Sequence, residues 1–284
     1  MSTHQRSHDL PLSLCRQHRF PHQIEYSFKL ESGRLPLVDR YVVGVSAQEI
    51  TAGQLRAVTQ DLGMPFSSTV GEPQLETLRQ QATTIYFGYE EHPSGSSLRL
   101  YFEFWDQVCK RLEQVPQHEL AQWRHADSPL WIMMVGYKWP SLTCAESRQT
   151  DYWVRPLLTS AQIHEKVIGY TSGAASPSVF SGIMSHLVMD VIGVSPQQLP
   201  VFLDVRDSAG KRQSFDLCCH HYGVKLNAYR GSIESLIQLL TGSHLPLERC
   251  LNGHSPESWL THISAGLNHQ GHAFATFYYD PSPD

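Results

Sequence analysis

The sequence predicts an α+β fold, a ten-stranded antiparallel β-barrel surrounded by helices and built from five α-β-β-α repeats. Three observations carry this. Short runs of period-2 alternation come in pairs joined by turn residues, helical stretches separate one pair from the next, and no linker or shift in composition divides the 284 residues. Ten antiparallel strands with helices on one face would leave long edges and a wide polar face, and closure removes both. The competing arrangement is two stacked α+β domains, each with a half-sheet.

Taken in order, residues 1–22 are polar and rich in His, Arg and Gln and read as a mobile leader, with residues 23–284 as one domain. Ile24 to Leu30 (IEYSFKL) alternates as a strand, Ser32-Gly33-Arg34 turns it, and Arg40 to Ser46 returns. Ile50 to Gly63 then sets Leu55, Val58 and Leu62 at helical spacing, with Thr51 as N-cap and Gly63 as the stop. In the second repeat, Pro73 to Gln81 is helical, Thr83 to Glu90 (TTIYFGYE) is a β-branched and aromatic strand, and Pro93-Ser-Gly-Ser turns into Ser97 to Phe104 (SLRLYFEF), followed by a helix from Asp106 to Glu113. The third comprises a helix over Glu119 to His125, strands Leu130 to Trp139 and Asp151 to Leu157, and a helix over Ser160 to Gly169. A fourth has helices Phe180 to Ile192 and Ser232 to Leu240 around strands Pro200 to Arg206 and Arg212 to His221. The last reads as a helix over Leu247 to Trp259 and strands Leu260 to Leu267 and Ala273 to Tyr279.

Composition excludes several classes. With 41% hydrophobic, 17% charged residues and a net charge of -5, the chain is globular and has no cation excess for a nucleic-acid backbone. No apolar run is long enough to span a membrane and the N-terminus lacks the apolar stretch of a secretion signal, so a soluble, cytoplasmic protein is expected, as monomer or homodimer. The six cysteines are scattered without a CxxC and read as reduced thiols. Cys218-Cys219-His220-His221 has no usual zinc spacing, and strand alternation would send its neighbours to opposite faces. No metal site is expected from it. No Gly-rich phosphate loop, GxSxG elbow or DDxxD-like run is present.

Alternation also sorts the candidate functional residues. In SLRLYFEF, Leu98, Leu100, Phe102 and Phe104 take one side and Arg99, Tyr101 and Glu103 the other. The same split selects Glu25, Ser27 and Lys29, then Trp153 with Arg155, Asp204 with Arg206, and Ser214, Asp216, Cys218 and His220, with Lys138 on the same surface. A cation from most hairpins, interleaved with tyrosines and a few carboxylates, suits a small anionic ligand with an aromatic companion. Arg offers a planar fork to diphosphate oxygens, and Tyr rings can screen a carbocation. The alternative is a set of ion pairs on an open, solvated sheet.

At IEYSFKL, SLRLYFEFW and FDLCCHHYGVKLNAYRGSIESLI the chain resembles the aromatic prenyltransferases of the dimethylallyltryptophan synthase type, the indole-modifying branch of the ABBA barrel family. Glu25-Tyr26-Ser27 matches that family's first barrel strand, whose Glu accepts the indole N–H. Arg40 is the best match for the diphosphate-binding Arg of the return strand. Leu98-Arg99-Leu100-Tyr101-Phe102 fits a strand whose basic residue and Tyr hold the diphosphate, with Arg for Lys. The third hairpin keeps only Arg155 of an Arg/Lys/Tyr alternation, and the last carries His262 in place of a Tyr.

The resemblance implies an allylic diphosphate donor held by Arg40, Arg99, Tyr101, Lys138, Arg155, Arg206 and Tyr278. It also implies an aromatic, indole-type acceptor among Tyr86, Trp153, Asp216 and His262, and Glu25 as the proton acceptor with a raised pKa. No cofactor is required by this reading; Mg²⁺ bridging the diphosphate to Glu103 or Asp204 is left open. The competing functions are a non-catalytic barrel for a hydrophobic ligand and a prenyltransferase of the phenol-modifying branch.

Overall fold

The computed structural model describes residues 10–64, 72–93, 95–123, 129–141, 146–156, 158–173 and 177–281. Ten antiparallel strands close into a barrel in the order β1-β10-β9-β8-β7-β6-β5-β4-β3-β2. The strands are β1 (His22–Glu31), β2 (Leu37–Ser46), β3 (Thr84–His92), β4 (Gly95–Glu103), β5 (Trp131–Trp139), β6 (Arg148–Val154), β7 (Val201–Asp207), β8 (Gln213–Cys218), β9 (Trp259–Leu267) and β10 (Ala273–Asp280). The described helices are α1 (Leu10–Gln17), α2 (Ala52–Asp61), α3 (Glu72–Gln81), α4 (Trp105–Glu113), α5 (Gln117–Trp123), α6 (Ser160–Thr171), α7 (Pro177–Gly193) and α8 (Arg230–Thr241). None is long and apolar enough to cross a membrane. The chain falls into two compact units, the first holding Asp39–Glu113 and Ile132–Asp151, the second Glu25–Val38 and Tyr152–Asp284 among their segments.

In the first unit the β2–β5 ladders put Val43, Phe87, Leu100 and Tyr137 in one row and Val45, Ile85, Phe102 and Val135 in the next, all buried. The other face of the same strands carries Arg40, Glu90, Arg99, Tyr101 and Lys138. α2 starts where the sequence places it, because Thr51 caps the Gln54 N–H and the Gln54 side chain reaches back to Thr51, a reciprocal capping box.

In the second unit, Phe28, Phe277, Ile263 and Leu217 line up across β1, β10, β9 and β8, and this face packs against Ile163 and Val167 of α6, Met184 and Leu187 of α7 and Ile233 and Ile237 of α8. The helices cover the apolar face, so the polar face of the strands lines the barrel interior. Thr159 and Gln162 repeat the capping box at the start of α6. One glycine is required by close approach. Gly266 on β9 has φ +143, and a Cβ there would lie 2.3 Å from the Gln213 carbonyl oxygen of β8. Gly266→Ala is expected to cost about 2–3 kcal/mol in backbone strain and overlap, read as a lowered melting temperature; an unchanged one would contradict the β8–β9 approach.

Several expectations are corrected. Leu12, Leu14 and Cys15 bury one side of α1, so residues 10–17 are a packed helix and not a mobile leader; residues 1–9 lie outside the described set. β6 runs 148–154 and not 151–157, since Pro156 has no N–H to donate to a ladder and Leu157 lies outside the described residues. The helix expected over 247–259 is only a 3-10 turn, Leu247–Cys250, followed by Asn252 and Gly253 at positive φ. β8 stops at Cys218, and His220 and His221 belong to a 3-10 turn, His220–Tyr222, closed by left-handed Gly223. The helix expected to reach His125 is described only as far as Trp123, and the turn expected at Pro93 to Ser96 includes undescribed Ser94.

Candidate active site

The first group of functional side chains belongs to the first unit and is organised by a carboxylate. Glu90 of β3, 1% exposed, faces Arg40 across the β2–β3 ladder, and Arg99 faces Lys138 across β4–β5. Its carboxylate accepts from Arg40 Nε at 3.1 Å and Lys138 Nζ at 3.2 Å, pairs with the Arg99 guanidinium, and has His92 Nε2 at 2.6 Å. Three permanent cations thus surround one anion. Arg99 also donates to the Tyr101 hydroxyl at 3.4 Å, and Tyr86, opposite Tyr101, donates to Glu103 at 3.3 Å.

Two glycines make the room. A Cβ on Gly88 would lie 3.1 Å from Arg99 Cβ, and one on Gly44 2.8 Å from the Tyr86 ring, so both side chains lie over bare backbone. Arg40, Arg99, Tyr101 and Lys138, expected at a diphosphate, share this face with Tyr86, expected at the acceptor, and with Glu90, which the sequence reading left out. Its signal was a phase: Glu90 is two residues beyond Gly88 and four beyond Tyr86 on the same side of the strand.

The second group lies in the second unit. Glu25 precedes Ser27 by two on the interior face of β1, and Ser27 faces Tyr278, which faces His262, which faces Cys218. Glu25 Oε1 is 2.9 Å from His220 Nε2, and His262 Nδ1 is 2.8 Å from Asp216 Oδ1. The two imidazoles meet edge to face at 5.2 Å, and Tyr278 stands edge-on to His262 at 5.9 Å between ring centroids. Tyr278, expected at the diphosphate, therefore stands with Glu25, Asp216 and His262, the residues expected at the acceptor.

The electrostatics follow from that geometry. Burial pulls His262 toward neutrality, but the Asp216 carboxylate beside it outweighs burial and holds its pKa well above the ordinary value. Burial pushes Glu25 up, yet the His220 hydrogen bond and the charge on His262 win and hold its carboxyl below the usual range. The raised pKa expected for Glu25 is thereby reversed. Desolvation alone would raise it; the imidazole of His262, which β9 brings to the same face, and the His220 hydrogen bond reverse the sign.

The third group corrects two assignments. Asp204 faces Phe215 across β7–β8, and Phe215 sits in the core shared with α6, so Asp204 and Arg206 point to the helices and not to the interior. There Lys166 of α6 holds both Asp204 oxygens at 3.0 and 3.2 Å, with Arg155 Nε at 3.6 Å and Arg206 at 3.9 Å. Arg155 and Arg206 are thus counterions in a helix–sheet contact, and Asp204 is on the wrong face to share a metal with a diphosphate. Leu203 and Val205 take the interior positions on β7. Trp153 is half-buried on β6 between buried Tyr152 and Val154.

No family model and no curated protein matches the sequence. Solved structures do resemble the fold. AnaPT from Neosartorya fischeri superposes over 91% of this chain and 78% of its own, with a TM-score of 0.54 at 11% identity. The NotF prenyltransferase does so over 91% and 80%, with a TM-score of 0.50 at 11% identity. At such identity the likeness is one of fold, and the chain has the closed, helix-wrapped ten-stranded barrel that the α-β-β-α repeats of its sequence predict.

Proposed function

We propose that the protein is an aromatic prenyltransferase that moves a dimethylallyl or geranyl group from its diphosphate to an indole-containing small molecule by Friedel-Crafts-type alkylation. The observation that supports this most is the convergence of Arg40, Arg99 and Lys138, with Tyr101, around Glu90 on one face of β2–β5. Arg40, Arg99 and Lys138 offer charge-assisted donors to a polyanion, and such donors favour cleavage of the C–O bond by stabilising the charge that grows on the departing diphosphate. The allyl cation is then attacked by an aromatic carbon, and loss of the ring proton to the released diphosphate restores aromaticity. The Glu25 carboxylate accepts a hydrogen bond from the acceptor N–H. A NotF-like fold is consistent with this chemistry, since that protein is a prenyltransferase.

Because Arg40, Arg99 and Lys138 can supply the positive charge that a divalent cation would bring to a diphosphate, we propose that donor binding does not need Mg²⁺. Calorimetric titration of a non-cleavable allylic thiolodiphosphate, with and without Mg²⁺, tests both statements. Micromolar binding in either buffer is expected, with Arg99→Ala abolishing it. Arg155→Gln and Arg206→Gln are expected to bind within about twofold of wild type, because both pair with Asp204 on the helix-packed side of β7. Loss of binding in those two variants would return them to the donor site. No binding by the wild type would favour the non-catalytic ligand barrel, which needs no convergent cations. Phenol-type acceptors turned over in preference to indoles would place the protein in the other branch.

A further inference from the structure

Glu25, His220 and His262 come from three separate segments, β1, the turn after β8, and β9, and each offers one ligating atom within 4.8 Å of the others. We propose that these three side chains form a binding site for a first-row divalent cation of borderline softness, with Zn²⁺ as its representative. Two imidazoles and one carboxylate suit Zn²⁺, Co²⁺ or Ni²⁺ and not Mg²⁺, which prefers oxygen ligands and keeps its waters.

The arrangement around the ligands supports the assignment. Asp216 holds His262 Nδ1 at 2.8 Å, which fixes the ring, the outer-shell device that metal-ligating histidines use, and an ion bound at Nε2 displaces the proton that the Asp216 charge otherwise keeps on the ring. His220 Nε2 and Glu25 Oε1 are 2.9 Å apart, a separation that two ligands of one ion can take when each bond is about 2.0–2.2 Å. The ion would replace their mutual hydrogen bond. Access is from the His220 side, whose side chain is 49% exposed against 14% for that of Glu25. Three protein ligands leave a coordination position for water or an acceptor heteroatom. The sequence hid this site because its ligands are far apart along the chain and only His220 belongs to the Cys-Cys-His-His run.

The site stands on its own geometry; its consequence, competition between the ion and the acceptor for Glu25, rests on the function proposed above. The experiment titrates Zn²⁺ by calorimetry, and Co²⁺ by visible absorption, into the chelator-treated full chain. One equivalent is expected, with Co²⁺ bands of low coordination number. His220→Ala and His262→Ala should each weaken Zn²⁺ about 100-fold or more, and Asp216→Asn by about 10- to 100-fold. His186→Ala, which removes the exposed His186–Asp190 pair on α7, should change nothing. Glu25→Gln, nearly isosteric, serves if a His variant fails to fold by circular dichroism. Stoichiometric binding that survives Glu25→Gln and the His variants, or that is lost in His186→Ala, overturns the proposal, as does the absence of binding. Thiolodiphosphate affinity, measured in parallel, separates the two readings: Zn²⁺ failing while the donor analogue binds sinks only the metal site, and the reverse sinks only the transferase. Where both hold, Zn²⁺ should inhibit transfer competitively with the acceptor and a chelator should restore it.

Discussion

Glu90→Gln is expected to lower the unfolding free energy by about 3–5 kcal/mol, the usual cost of breaking a buried ion pair from one side. Arg40, Arg99 and Lys138 converge on the Glu90 carboxylate, Arg40 being 3% exposed and Glu90 1%. Glutamine keeps the shape and part of the hydrogen bonding but removes the charge on which the three cations converge. Repulsion among the cations, of which Arg40 is almost wholly buried, is what then destabilises the fold. A polyanion should reverse it. Inorganic pyrophosphate is therefore expected to raise the melting temperature of Glu90→Gln by several degrees more than that of the wild type, in which Glu90 already supplies part of the counter-charge. Differential scanning calorimetry across a pyrophosphate series reads both numbers. Equal shifts in the two proteins would mean that the polyanion does not bind at this cluster.

How much of this was legible in the sequence depended on whether a residue's partner was local. SLRLYFEF could be assigned a face without help, because four apolar residues of one phase leave no ambiguity, and Arg99 and Tyr101 follow from it. VFLDVR could not, because Phe202 and Leu203 are both apolar and each phase satisfies a buried strand. The charge on Asp204 suggested an interior position, whereas Lys166, 38 residues away on α6, is what makes a helix-facing carboxylate tolerable. His220 was read as a strand residue because nothing in QSFDLCCHH marks the end of β8 at Cys218. The 3-10 turn that re-aims it toward Glu25 is fixed by tertiary contacts, among them the Cys219 N–H bonded to the Thr261 carbonyl at 2.6 Å. Ladder order was legible from alternation; cross-strand company was not, since period 2 names a face and says nothing of the neighbour on it.

Glu25→Gln is expected to lower turnover by about 100-fold while donor-analogue affinity stays within about twofold. The size follows from the role. General-base participation is worth about 10²–10⁴-fold when the base is matched to the operating pH, and Glu25 is not so matched, since His220 and His262 hold its pKa below the ordinary carboxylate value. A carboxylate kept ionised in this way acts mainly as a fixed negative charge. On the function proposed above it orients the acceptor N–H and offsets the positive charge that develops on the ring as the aromatic carbon attacks, and the loss therefore falls at the low end of that range. Glutamine can still accept the N–H hydrogen bond but not offset the charge, so the loss should appear in kcat more than in the acceptor KM. Donor affinity is expected to be spared because the cations proposed to hold the diphosphate are on β2–β5 and converge on Glu90, whereas Glu25 pairs with His220. Steady-state kinetics with dimethylallyl diphosphate and an indole acceptor, beside thiolodiphosphate calorimetry, reads all three quantities. A kcat within threefold of wild type would remove Glu25 from the reaction, and a rise in acceptor KM alone would reduce it to a contact that the ground state and the transition state share equally.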